Sequence, residues 1–155
     1  MSRPVSFDVH GHPQTQGSKK SFAWTDKVTG KARSSMVESA GDKLKSWRTM
    51  VSDKAREAMD GAPMMEGPVM VWAVFSFIRP KSHYGTGRNA GKLKASTAIP
   101  FPVTKGDLDK LMRAIGDGMT KIVYRDDKQI CQLNIGKRWA QSEGVMIKVT
   151  SMEDE

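Results

Sequence analysis

Apolar residues along the chain recur with two periods, one near two and one near 3.6, and each marks its own kind of element. Val5-Ser6-Phe7-Asp8-Val9 alternates apolar and polar positions and reads as a strand. Residues 10–20, rich in Gly, Pro, Gln, Ser and Lys, read as a loop, and 21–24 with 32–37 suit a hairpin turning at 26–30. From 41 to 59, Leu44, Trp47, Val51, Ala55, Ala58 and Met59 share one stripe, which predicts a helix stopped by Gly61 and Pro63. Residues 68–78 form a β-rich apolar run and predict a central strand buried on both faces.

Residues 79–105 follow neither period. They hold six Lys or Arg, three prolines and no acid, and read as a long, mobile, basic loop. The stretch Gly85-Thr86-Gly87-Arg88-Asn89-Ala90-Gly91 lacks the glycine spacing of a dinucleotide fingerprint, and no apolar helix follows it. A second helix is predicted from 108 to 120, with Leu108, Leu111, Met112, Ile115 and Met119 on one face. Strand character returns at 122–124, 129–139 and 144–152. The order predicts a single α+β (mixed α/β) domain over 1–155, a small mixed sheet with two main helices.

A chain of 155 residues with 38% apolar and 27% charged residues suits one domain with a real core. The longest apolar run, ten residues with Ser76 inside it, is half the length of a membrane span. One cysteine, Cys131, forms no internal disulfide, and no signal-type apolar segment follows Met1, so a reducing cytoplasm is expected.

Charge changes the picture more than composition does. Between Gly67 and Ser142 lie thirteen Lys and Arg and five acids, all aspartates, so that stretch carries the whole net charge of +8. The rest of the chain sums to zero. A cationic field of this kind points to a polyanionic partner, and the acids inside it form one island: Asp107, Asp109, Asp117, Asp126 and Asp127. Asp107 and Asp109 stand where loop becomes helix, so both side chains can converge in front of the helix N-terminus. Asp109, Arg113 and Asp117 make a polar stripe along that helix, in which Asp117 reads as the structural partner of Arg113. If 122–130 is a strand beside the helix, one of Asp126 and Asp127 faces the helix start. Carboxylates gathered at one point repel unless a divalent cation sits among them. Oxygen donors, few histidines and a lone cysteine favour Mg2+, with Mn2+ as a substitute, over zinc; no organic cofactor is expected. Such a metal polarises a phosphodiester and activates water, which is nuclease chemistry. The bland alternative is that Asp-x-Asp caps a helix and Asp-Asp marks a turn.

Thr104-Lys105-Gly106-Asp107-Leu108-Asp109-Lys110-Leu111-Met112-Arg113, then Asp117-Gly118, then Tyr124-Arg125-Asp126-Asp127-Lys128-Gln129-Ile130, resembles the signature of the RusA-type Holliday junction resolvases. The resemblance implies a RusA-like fold and metal-binding catalytic carboxylates at Asp107, Asp109 and Asp127, with Asp127 preferred to Asp126 by register alone. It implies a homodimer that cuts opposed strands of a four-way DNA junction with Mg2+ by paired symmetric nicks, and a phage or prophage origin. Arg113 stands where the family usually has a catalytically important lysine. Arginine keeps the charge but releases a proton far less readily, so a general acid would have to be Lys110, Lys128 or water. Lys110 replaces the family's usual asparagine, and Gly106 its usual proline or basic residue.

Two rivals use the same residues. Asp107 with Asp126-x-Lys128 fits the sparse pattern of restriction-type metal nucleases, and a non-catalytic basic nucleic-acid-binding module would use the aspartates as caps. Candidate DNA contacts are Lys19, Lys20, Arg79, Lys81, Arg88, Lys92, Lys94, Lys105, Lys110, Arg125 and Lys128. His10 and His12 have no further His or Cys beside them and read as loop residues; the four tryptophans and the methionines read as core or interface.

Overall fold

The computed structural model describes residues 3–17, 19–25, 27, 29–30, 32–38 and 41–153, with the backbone alone at 19–24 and 32–38. Its strands are β1 (Val5–His10), β2 (Lys19–Thr25), β3 (Ala32–Glu38), β4 (Val69–Ile78), β5 (Ile130–Ala140) and β6 (Gly144–Ser151), and its main helices are α1 (Gly41–Met59) and α2 (Leu108–Met119). One mixed sheet runs β1-β6-β4-β5, and β2 with β3 makes a separate antiparallel hairpin. β6 is antiparallel to β1 and β4, whereas β4 and β5 run parallel. A parallel pair needs a long crossover, and here the basic loop and α2 supply it.

Both helices lie on the same side of the sheet. α1 turns the predicted stripe Leu44, Trp47, Val51, Ala55 and Met59 into the core, while Ala58 is half-buried. α2 buries Leu111, Met112, Ala114, Ile115 and Met119. Each such apolar side chain, fully buried, contributes about 1.5–3 kcal/mol, which is what holds helices of this length in place. The two helices touch where Gly118 meets Val51: a Cβ on Gly118 would stand 2.8 Å from Val51 Cγ1. Ser52 Oγ donates to the Gly118 carbonyl at 2.7 Å across the same contact.

Three expectations need correcting or refining. β4 is central, but only Val69, Val71, Ala73, Phe75 and Phe77 are buried; Met70, Trp72, Val74 and Ser76 are half-buried. Among the described residues no helix packs on that second face, where Trp72 lies between Asn134 of β5 and Lys148 of β6. Residues 122–129 are not a strand. The chain turns after α2 as the Ile122 and Val123 amides donate hydrogen bonds to the Met119 carbonyl, Lys121 takes φ +67°, and a 3-10 turn follows at Asp127–Gln129. Buried Tyr124 locks the turn, its hydroxyl donating to the Gly116 carbonyl at 2.9 Å. The basic loop, finally, carries structure of its own. It forms 3-10 turns at Lys81–His83, Gly87–Asn89 and Ala95–Thr97. Hydrogen bonds donated by the Gly85 amide to the Lys92 carbonyl and by the Lys94 amide to the His83 carbonyl, both 2.9 Å, tie them together. Among the described residues no helix is long and apolar enough to cross a membrane.

Candidate active site

The first acidic pair opens α2. Asp107 is its N-terminal flanking residue, extended at φ −74° and ψ 134°, and its carbonyl accepts the Leu111 amide at 2.9 Å. Its side chain makes no capping hydrogen bond; it is 71% exposed and stands 3.3 Å from Lys110 Nζ. Asp109 is exposed in the first turn and, among the described residues, has no hydrogen-bond or ion-pair partner. A capping role therefore does not account for this pair. The start of α2 is anchored to β5 by Lys137, whose Nζ donates to the carbonyls of Lys105 at 2.6 Å and Gly106 at 2.8 Å.

The second pair is divided in its duties. Asp126 accepts the Lys128 amide at 2.9 Å and caps the 3-10 turn; Gln129 answers by accepting the amides of Arg125 and Asp126 at 2.9 and 3.1 Å. This reciprocal capping box is pinned to the start of β4, because Gln129 Nε2 also donates to the carbonyls of Met65 at 3.0 Å and Gly67 at 2.9 Å. The Lys128 amide holds the Asp126 carboxyl below the usual carboxylate range. Asp127 is displaced the other way: partial burial raises it first, followed by its contact with the Asp126 carboxyl and the charge of Asp117. Asp126 thus caps the turn, whereas the Asp127 carboxyl, among the described residues, accepts no backbone amide and has the neighbouring Asp126 carboxyl as its contact.

The two pairs do not meet within one chain. Asp107 adjoins Lys137, seven residues beyond the start of β5, a distance of roughly 23 Å along an extended strand. Asp127 precedes that start. Along α2 itself, Asp109 and Asp117 are eight residues apart, about 12 Å of helix. Among the described residues, no three His, Cys, Asp or Glu side chains gather closely enough to hold a metal ion.

Asp117 pairs differently from the expected Arg113 contact. Gln16 Nε2 donates to Asp117, and Gln16 Oε1 accepts from Arg48 at 2.9 Å. Gln16 reaches there because its amide donates to the Lys110 carbonyl at 3.0 Å, which lays the loop before β2 across α2. Arg113 lies under the same loop with its guanidinium against the bare Cα of Gly17, and it makes no ion pair among the described residues. The signal for Gln16 was absent from local sequence, since its partner is 101 positions away. A cleft of about 330 Å³ beside Asp117, lined on α1 by Lys45, Arg48, Ser52 and Arg56, also went unread in the sequence. Its clue is helical spacing that sets these polar residues beside one another. A second concavity, about 670 Å³ between β1 and the end of α1, is lined by none of the five island aspartates.

The candidate DNA contacts fall into four groups. Lys81, Arg88, Lys92, Lys94 and Lys128 are exposed. Arg79, Lys110 and Arg125 have partners within the chain. Arg79 donates to the carbonyls of Thr97 and Ile99 and lies 5.7 Å from the Trp139 ring centre; Arg125 pairs with Glu66 at 3.1 Å, and Lys110 with Asp107. Lys105 is half-buried, and the side chains of Lys19 and Lys20 lie outside the described residues.

Two comparisons bear on this arrangement. Along 94% of its length the chain is 25% identical, over 146 residues, to a protein of Bacillus subtilis strain 168 named YqaN and described as uncharacterized, of which 94% is covered. The family model described as "Endodeoxyribonuclease RusA" matches residues 11–150, from the loop ahead of β2 to the last strand and across every aspartate of the island. The chain therefore belongs to the RusA family of endodeoxyribonucleases.

Proposed function

We propose that this protein is a Mg2+-dependent endonuclease that resolves four-way DNA junctions as a homodimer, nicking opposed strands symmetrically. The observation that carries the reading is the division of labour among the acids. Asp126 accepts a backbone amide and Asp117 the Gln16 side chain, whereas among the described residues Asp109 has no partner, Asp127 touches only the adjacent Asp126 carboxyl and Asp107 meets only a surface lysine. Oxygen-only donors suit a hard cation, Mg2+ with Mn2+ as substitute, and bound metal would polarise the phosphodiester and lower the pKa of the attacking water.

One protomer does not complete that donor set, because its pairs stand at opposite ends of α2. A second copy related by two-fold symmetry completes it, with Asp107 and Asp109 of one protomer facing Asp127 of the partner subunit. An isologous contact repeats itself, so two such sites arise together, as paired cuts in a two-fold substrate require. Arg113 serves as a phosphate grip, since its guanidinium stays charged and offers a fork of donors. Proton delivery to the leaving oxygen then falls to water or to the amines of Lys110 and Lys128. The exposed cations Lys81, Arg88, Lys92 and Lys94 contact phosphates without reading sequence, so affinity should fall steeply with salt. The restriction-type alternative needs Asp126 as a ligand, and its commitment to the Lys128 amide counts against that.

The test is cleavage of four-way junction, fork and linear duplex DNA side by side, with and without Mg2+. The proposal expects metal-dependent cutting of the junction above the other two, abolished in Asp109→Asn with binding retained. Equal cutting of all three would remove junction selectivity, and no cutting by folded dimer in Mg2+ or Mn2+ would refute the enzyme reading.

A further inference from the structure

The segment leading into Asp107 presents apolar side chains that the fold itself does not use. Ile99 is 63% exposed, Phe101 63% and Val103 87%, whereas Pro102 between the last two is buried. The backbone that carries them is fastened at both ends. Arg79 Nη2 donates to the Ile99 carbonyl at 3.0 Å, and the Trp139 amide donates to the Pro100 carbonyl at 2.9 Å. Lys137 holds the carbonyls of Lys105 and Gly106. Three solvent-facing apolar groups on an anchored backbone, four to eight residues ahead of Asp107, are a prepared surface.

Charge selects the occupant. The segment belongs to a 27-residue stretch, 79–105, with six Lys or Arg and no acid, which favours a polyanion over an ordinary protein surface. An aromatic ring set among cations is the combination that binds unpaired bases, the ring stacking on the base and the cations following the backbone. Linear duplex hides its base faces, and a branch point exposes them. We propose that Ile99, Phe101 and Val103 form a wedge for unstacked nucleobases at the DNA branch point, with Phe101 as the stacking platform. This rests on the junction-directed reading above and adds a means of selecting junctions that phosphate contacts alone do not provide.

The experiment measures binding of the full-length protein, in EDTA, to a four-way junction carrying 2-aminopurine beside the branch point and to linear duplex of the same length. Phe101→Ala should lower junction affinity roughly ten-fold or more and abolish the change in 2-aminopurine fluorescence, while duplex affinity stays within about two-fold. Phe101→Trp should retain both junction signals. Because Phe101 is largely exposed, neither variant should change thermal stability. Three results overturn the wedge: unchanged junction binding in Phe101→Ala, equal losses on junction and duplex, or dissociation of the dimer in sedimentation, which would make the surface a contact between copies. Wild-type protein that binds junction no better than duplex would overturn the junction reading and the wedge together. Selective wild type with an indifferent Phe101→Ala would overturn the wedge alone.

Discussion

Replacing Gly17 by alanine tests whether the loop ahead of β2 sets the position of the Arg113 guanidinium. An added Cβ would overlap Arg113 Nη1 and stand 3.1 Å from its Cζ. The group in its way is the far end of a flexible side chain, so the clash is relieved by moving the guanidinium, not the backbone. The φ of +137° at Gly17 adds backbone strain of about 1–3 kcal/mol. For a chain of this size that lowers the melting temperature by roughly 2–12 °C. The functional cost is separate: losing a charge-assisted contact to phosphate is worth about 1.5–3 kcal/mol, or roughly ten- to hundred-fold in kcat/KM. Lysine at 113 lacks the fork that meets Gly17, so in an Arg113→Lys background the alanine should cost no more than about three-fold. The assay is junction cleavage by the four proteins of this double-mutant cycle at a temperature where all are folded. Equal losses in the two backgrounds would show that Gly17 acts through loop conformation alone and would refute the positioning argument.

At the contact between the helices, Gly118→Val forces a branched side chain into Val51 and the Arg48 carbonyl, 3.3 Å from the alanine-like Cβ position, and should destabilise by about 1–3 kcal/mol in urea melts; the loss should shrink in a Val51→Ala background. Asp126→Asn keeps an acceptor for the Lys128 amide but removes the carboxyl that helps to hold the Asp127 proton. Asp127 then ionises at lower pH, and if cleavage needs it ionised, the acidic limb of the kcat/KM profile moves to lower pH with the plateau retained. A limb that does not move, or loss of the plateau, would contradict the roles given to the two acids.

What was legible in the sequence was local and periodic. The stripe Leu44, Trp47, Val51, Ala55 and Met59 gave α1 because apolar spacing near 3.6 has one structural solution, and the Asp-x-Asp at the start of α2 stood out against a basic stretch. Met70, Trp72 and Val74 misled because an apolar residue on a half-buried sheet face looks, in sequence, like one in the core. At 122–129 apolar residues suggested strand, although Asp126 and Gln129 carry the three-residue spacing of a capping box. Long-range pairings had no local trace: Gln16 reaches Asp117 and Lys137 reaches Lys105 only once the sheet order is known. The candidate site was legible as a list of acids but not as a place. Chemistry pointed to the acidic island and the family resemblance chose Asp107, Asp109 and Asp127 within it, whereas the length of α2 stands between the first two and the third in a single chain.

That separation makes one measurement decisive for the account. Asp109→Asn and Asp127→Asn proteins, each inactive alone, are mixed one to one, allowed to exchange subunits, and assayed for nicking of a four-way junction in Mg2+. If the site is shared between copies, each mixed dimer holds one site with both substitutions and one with neither, so random exchange restores about a quarter of wild-type nicking, one strand at a time. A mixture of Asp107→Asn with Asp109→Asn, whose changes fall on the same side of the interface, should restore none. No recovery in the first mixture, with mixed dimers verified by differential tags, would contradict the shared site and require each protomer to act on its own.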